Sequence, residues 1–319
     1  MKPVKINPAI SSTIWGGRRL IEEYGVVTDK ENAAEAWVLS CHPNGSGTIA
    51  TGEYSGKTLR EVYESDRSIC GKRGESFKEF PILIKFIDAL DNLSIQVHPD
   101  EEYARKVENG AGKTECWYIL DCDEGAELIM GFKDKIDKET FRKAIEENTL
   151  TDYVKSYKVK KGDFFFIGAG TVHAICKGVL LAEVQQNSDT TYRVYDYGRV
   201  GKDGKPRELH IEKAIDVTET VPYIPYEPTS EAKAEFNNEQ RTLLASCDLF
   251  SVCTVDCDGE YKSESDENSF VSLLVLTGEG EFSCGDTSFS IKKGESVFVP
   301  ANSGEFTVSG KMEILETRI

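Results

Sequence analysis

The sequence predicts a mainly β protein built as two related β domains with short helical insertions. Two observations carry this. Apolar and polar residues alternate with a period of two in segment after segment, as in LSIQVH (93–98), VLLAEVQQ (179–186) and TTYRVYDYG (190–198), which is the period of a strand with one face buried. In addition, KKGDFFFIGAGTVHAI from Lys160 aligns without gaps with KKGESVFVPANSGEFTV from Lys292, and repetition at this scale marks a duplicated structural unit.

Taken in order, the chain begins with an extended stretch over 4–16 that reaches Trp15 and a Gly16-Gly17 turn. A short helix follows over 18–24, stopped by Gly25. EAWVLSCHPNGSGTIATG reads as strands around the turn Pro43-Asn44-Gly45. Thr58-Leu-Arg-Glu61 is a capping box, so a helix starts there. Residues 80–89, FPILIKFIDA, form an apolar strand interrupted by Lys85, a costly residue inside a buried strand unless it is paired or useful. A strand ends at Pro99, a short helix spans 100–108, and GKTECWYILD is a further strand. Phe141, Ala144 and Ile145 have helical spacing in 133–155, a helical insert between strands. After more strands, 209–217 is a short helix. VPYIPYEPTSEAKAEFNNEQ is rich in proline and polar residues and reads as a linker. The last part reads as short strands of a small antiparallel β domain.

Composition sets the class. At 319 residues with 39% hydrophobic content, the chain can bury one large core or two smaller ones. It has no apolar run of the ~18 residues a membrane helix needs, and its start lacks the apolar block of a signal peptide, so a cytoplasmic protein is expected. A net charge of −17 argues against nucleic acid and membrane partners. An anionic ligand would need a local cluster of Lys and Arg to oppose that field. The nine cysteines are odd in number and lack a CxxC pair, so reduced thiols are expected.

The chemistry concentrates in 92–118 and 161–173. Ser94, Gln96 and His98 share one face of their strand, with Ile95 and Val97 on the other. Lys113 and Glu115 likewise share a face, and His173 follows the turn Gly168-Ala-Gly170. Two imidazoles, a carboxylate and an amide are all plausible ligands for one divalent metal. His42, at a turn, and His210, at a helix start, read as structural histidines.

The first copy of the repeat places Gly162, Gly168, Gly170 and His173 at the spacing of the second cupin motif, G-x5-P-x-G-x2-H, with Gly168 in place of Pro. The second copy keeps Pro300 but has Asn302 and Glu305 in place of the Gly and the His. Cupins are double-sheet jelly rolls. WGG, FPILIKFIDA, LSIQVHPDEEYA, GKTECWYIL, GTVHAI and QNSDTTYRVYD extend the likeness over nearly the whole chain. In these stretches it resembles the type I mannose-6-phosphate isomerases of the short bacterial kind.

The resemblance implies two cupin domains: a catalytic one over 1–225 with its helical insert at about 133–155, a linker over 226–240, and a degenerate one without a metal site over 241–319. It implies one Zn2+ per chain, with ligands on Gln96, His98, Glu115 and His173. The implied reaction interconverts mannose 6-phosphate and fructose 6-phosphate through a cis-enediol. The family's catalytic arginine falls on Arg193, its lysine on Lys113 and an active-site acid on Glu183. Glu183 leads as the proton carrier, ahead of Lys113 and a metal-bound water. Lys85, Ser94 and Arg199 are expected around the substrate and its phosphate, beside Arg193. A monomer or homodimer acting on a small sugar phosphate is expected. Two alternatives stay open: an Fe(II) cupin oxygenase, and a non-catalytic sugar-binding cupin.

Overall fold

The computed structural model describes residues 1–200 and 204–319. Its contacts define two compact units. One comprises Met1–Ser11, Arg19–Phe86 and Tyr226–Ile319; the other comprises Ser12–Arg18 and Ile87–Pro225. Strands dominate both, as the alternation predicts. Among the described residues no helix is long and apolar enough to cross a membrane.

The grouping is not linear along the chain. The N-terminal strand Val4–Asn7 pairs antiparallel with Ser296–Val299, Val4 opposite Phe298 and Ile6 opposite Ser296. The first unit thus contains an eight-stranded sheet to which both chain ends contribute a strand, in the order Arg241–Ser246, Ser251–Ser265, Gly304–Arg318, Val271–Cys284, Ser296–Val299, Val4–Asn7, Thr48–Ile49, with Thr287–Lys292 beside Val271–Cys284. Val271, Leu273, Val275, Phe282, Val297, Val299, Phe306 and Val308 lie in its apolar core. The capping box forms as expected: Thr58 caps the helix Leu59–Ser65, and the Glu61 carboxylate accepts from the Thr58 backbone N–H at 2.7 Å.

One expectation is corrected here. The C-terminal strands are not short: Ser251–Ser265, Val271–Cys284 and Gly304–Arg318 run 15, 14 and 15 residues. Glycines lie within these ladders. Gly310 stands opposite both Gly259 and Gly280. A Cβ on Gly280 would come within 2.0 Å of the Ser309 carbonyl oxygen, and Gly310 has φ 139°. Glycine lets neighbouring backbones close in while the strands bend and pairing continues. The segment 226–240, read as a linker, contains a helix. Ser230–Phe236 is a helix whose cap, Thr229, accepts from the Ala232 N–H at 3.2 Å. It buries none of its residues, so no apolar stripe announced it.

The second unit contains a five-stranded sheet in the order Val154–Lys158, Glu127–Phe132, His173–Ile175, Ile95–Val97, Tyr192–Tyr195. One face of it carries Ile95, Val97, Ala174, Tyr192 and Val194, which cluster with Phe141 and Ile145 of the helix Lys138–Glu146 and Ala214 of the helix Ile211–Val217. Because side chains alternate, the intervening residues Gln96, His173 and Arg193 take the opposite face. They are cross-strand partners, His173 with Gln96 and Gln96 with Arg193, so they form one row. A second antiparallel set, Phe164–Ile167, Glu115–Cys122 and Val179–Gln186, places Glu115 opposite Ile167 and Gln185, and Trp117 opposite Phe165 and Glu183.

The repeat is present in backbone conformation. Gly162 and Gly294 have φ 85° and 88°, and Gly170 and its counterpart Asn302 have φ 84° and 62°. The Asp163 N–H donates to the Lys160 carbonyl at 3.1 Å, and the Glu295 N–H to the Lys292 carbonyl at 3.0 Å. Each turn then leads into a four-residue strand, Phe164–Ile167 or Ser296–Val299.

Candidate metal centre

His98, Glu115 and His173 present donor atoms that all lie within 4.8 Å of one another, and all three residues are buried. His173 Nε2 is 3.1 Å from His98 Nε2 and 3.3 Å from Glu115 Oε1. Gln96 Nε2 lies 3.3 Å from His173 Nε2. A half-turn of that amide would present its oxygen instead. Ser94 Oγ is 3.5 Å from Gln96 Oε1.

The surroundings prepare these groups as ligands. His98 Nδ1 lies 2.9 Å from the Thr190 carbonyl oxygen, and His173 Nδ1 lies 2.9 Å from that of Thr171. Each carbonyl fixes a proton on Nδ1 and leaves Nε2 as a lone-pair donor. Burial, followed by the charge of Lys113, draws His173 down to about 3, so its imidazole is neutral at physiological pH. The Trp117 ring packs edge-on against His173, 5.3 Å between centroids. The donors already converge on a positive group: Lys113 Nζ sits 2.8 Å from His98 Nε2 and 2.5 Å from Glu115 Oε2. Two neutral imidazoles, one carboxylate and an adjacent amide, buried and converging on a cation, fit a divalent metal of the borderline class that includes zinc.

Two family models match the chain: "Phosphomannose isomerase type I, catalytic domain" over residues 4–144, and "Mannose-6-phosphate isomerase, cupin domain" over residues 239–319. A probable mannose-6-phosphate isomerase of Bacillus subtilis (strain 168), GmuF, is 40% identical over 314 residues, 98% of either chain. The chain belongs to the type I phosphomannose isomerase family. Another relative from that strain, the mannose-6-phosphate isomerase ManA, is 40% identical over 320 residues, 100% of this chain and 99% of its own. The crystal structure of the Bacillus subtilis mannose 6-phosphate isomerase superposes with a TM-score of 0.90 at 37% identity, covering 100% of both chains. The two-cupin architecture read from the sequence is that of the family.

The other residues singled out from the sequence are distributed as follows. Glu183 is buried and accepts from Trp117 Nε1 at 2.7 Å. Arg193 shares the sheet face and the row of Gln96 and His173. Its Nη1 donates to the Glu208 carbonyl at 2.9 Å, while its buried Nε has no hydrogen-bond partner among the described residues. Arg199 donates to Asp196 Oδ1 at 2.6 Å and to the Asn92 carbonyl, and its guanidinium lies 5.2 Å from the Tyr197 ring centroid. Lys85 belongs to the first unit, where it is buried 3.9 Å from Glu35 Oε2 and 5.1 Å from the Trp37 ring centroid.

The structure also adds residues that sequence reasoning missed. Trp117 bridges the environments of His173 and Glu183. Its position two residues after Glu115, on the same strand face, was a usable signal. Arg207 donates through Nε to Asp196 Oδ2 at 2.8 Å. Burial opposes that charge, yet the Arg207 and Arg199 hydrogen bonds hold Asp196 below the usual carboxylate range. That pairing joins residues 11 apart in the sequence and leaves no mark in the spacing.

Proposed function

We propose that the chain is a zinc-dependent aldose–ketose isomerase that interconverts mannose 6-phosphate and fructose 6-phosphate through a cis-enediol. The observation that carries this reading is the buried His98–Glu115–His173 cluster, with Gln96 and Lys113 against it, in a chain about 40% identical to mannose-6-phosphate isomerases over its full length. The ligand set assigned to zinc is Gln96, His98, Glu115 and His173. A bound zinc would supply Lewis-acid polarisation and orientation of the sugar oxygens.

The remaining steps fall to side chains. Glu183 takes the proton from carbon 2 of the aldose and returns it to carbon 1, while a hydroxyl proton passes from oxygen 2 to oxygen 1. Its carboxylate is buried and oriented by Trp117 Nε1, as a general base needs. Lys113 is the second candidate for that transfer; its ammonium is already shared between His98 and Glu115. Arg193 stabilises the enediolate oxygen. It is permanently charged and lies in the row of Gln96 and His173. Arg193 and Arg199 supply positive charge for the phosphate, and Ser94 a hydroxyl beside Gln96. The domain assignment follows: 1–225 as the catalytic cupin region, with 241–319 as a degenerate copy that holds no metal.

The test is conversion of mannose 6-phosphate to fructose 6-phosphate by protein as purified, after chelation, and after zinc is returned. Activity lost on chelation and restored by zinc is expected. A folded, zinc-loaded sample with no turnover would remove the isomerase reading.

A further inference from the structure

The strand Tyr192–Tyr195 is the last of the five-stranded sheet, so the outward N–H and C=O of its residues have no neighbouring strand among the described residues. At Arg193 both groups are nevertheless paired, and with one residue. The His210 backbone N–H donates to the Arg193 carbonyl at 2.8 Å. The Arg193 N–H donates to His210 Nδ1 at 3.2 Å. His210 replaces a strand for this single position. The same segment also holds the side chain, since Arg193 Nη1 donates to the Glu208 carbonyl at 2.9 Å.

We propose that His210 is a positioning residue for Arg193: its neutral imidazole fixes the backbone from which the guanidinium reaches the face carrying Gln96 and His173. The inference rests on the isomerase reading and assigns it a residue that composition and spacing marked as structural. His210 does not touch the metal-ligand cluster; it acts through Arg193.

The interaction demands one protonation state. Nδ1 must accept, so the proton is on Nε2. Protonating Nδ1 would remove the acceptor and place a second cation beside Arg193. The groups facing the ring are Arg193 and Tyr192 on the strand, Glu208 before it, Lys213 on its own helix, and Glu108 at the end of the helix Glu101–Val107. Glu108 is already occupied, accepting from Lys213 Nζ at 2.7 Å and Tyr192 Oη at 2.8 Å. Burial, followed by the charge of Arg193, draws His210 below the usual histidine range. A depressed pKa means that the bond is present at neutral pH and is lost as pH falls through the folded-state value.

Two substitutions separate positioning from packing. His210→Phe keeps the ring and removes the acceptor. His210→Asn keeps an acceptor at the Nδ1 place and cannot titrate. Isomerase activity would be followed across the acid range, with zinc content and melting temperature measured on the same samples. His210→Phe should lose at least about tenfold in turnover, more in kcat than in KM, because small displacements of a charged catalytic group are amplified in rate. His210→Asn should recover most of that loss and should show a weaker fall toward low pH than the wild type. Nitrogen NMR of the wild type should show the proton on Nε2 at neutral pH. Wild-type turnover in His210→Phe, equal losses in both variants, or a proton on Nδ1 would each overturn the proposal. Its failure differs from failure of the isomerase reading, in which the zinc-loaded wild type itself does not turn over.

Discussion

At the scale of single residues, two backbone carbonyls decide what the buried imidazoles can do. Thr190 and Thr171 occupy the Nδ1 sides of His98 and His173, so the Nε2 lone pairs point toward Glu115. Gln96, His98 and Glu115 were legible because strand parity sorts side chains between faces, and His173 because it closes a recognisable turn. Partners that depend on distant side chains were not legible. Lys85 was legible as a buried cation, but its neighbours Glu35 and Trp37, one strand away in the fold and far away in sequence, were not. Arg199 meets Asp196 within one turn, but nothing in its spacing separates that pairing from a free cation. Arg193 behaves otherwise: its buried Nε has no hydrogen-bond partner among the described residues. Arg193→Ala should therefore keep the metal content of the wild type, as measured by atomic emission, and lose about 10²-fold or more in kcat, the usual cost of removing a preorganised donor to a developing oxyanion. Normal turnover in that variant would remove Arg193 from the mechanism.

At the scale of elements, the alternation of apolar residues predicted most strands, and the capping box predicted the start of Leu59–Ser65 correctly. Glycine was the source of the main error. In a one-dimensional pattern a glycine inside alternating residues looks like a boundary. In the sheet, Gly310 lies between Gly259 and Gly280 so that three backbones can approach and bend together. The helix Ser230–Phe236 was missed for the opposite reason: it is held by its Thr229 cap and not by a buried face. The glycine row supports a stability prediction. In Gly310→Ala the added Cβ would stand 2.5 Å from the Glu279 carbonyl oxygen, on a backbone at φ 139° that favours glycine. The variant should lose on the order of 3 kcal/mol or more, the range of strained positive-φ sites combined with a steric clash. Thermal melting would read this as a lower midpoint, and an unchanged midpoint would mean that the strands can bend without the glycine.

At the scale of the whole molecule, Val4–Asn7 pairs with Ser296–Val299, so the first strand joins the sheet of the last segment. The duplication is nonetheless visible strand by strand. Val271 pairs with Val299 as Glu115 pairs with Ile167, and Leu273 pairs with Val297 as Trp117 pairs with Phe165. Glu316 pairs with Leu273 as Glu183 pairs with Trp117. The second copy has thus put valine at the carboxylate position and leucine at the tryptophan position. The acid that it keeps is engaged by Tyr261 Oη at 2.7 Å, Arg318 Nε at 3.0 Å and Arg241 Nη1 at 3.2 Å. Glu305 stands where the repeat places a histidine, but it is exposed, whereas His173 is fully buried. Restoring one residue type therefore does not restore a site. Glu305→His should bind no more divalent metal per chain than the wild type, measured by atomic emission after exhaustive dialysis. A lone exposed imidazole, with Val271 in place of a carboxylate, lacks the three protein ligands that even an open zinc site requires. A second equivalent, retained through dialysis, would mean that the C-terminal cupin has kept a ligand set that the pairing of its strands does not reveal.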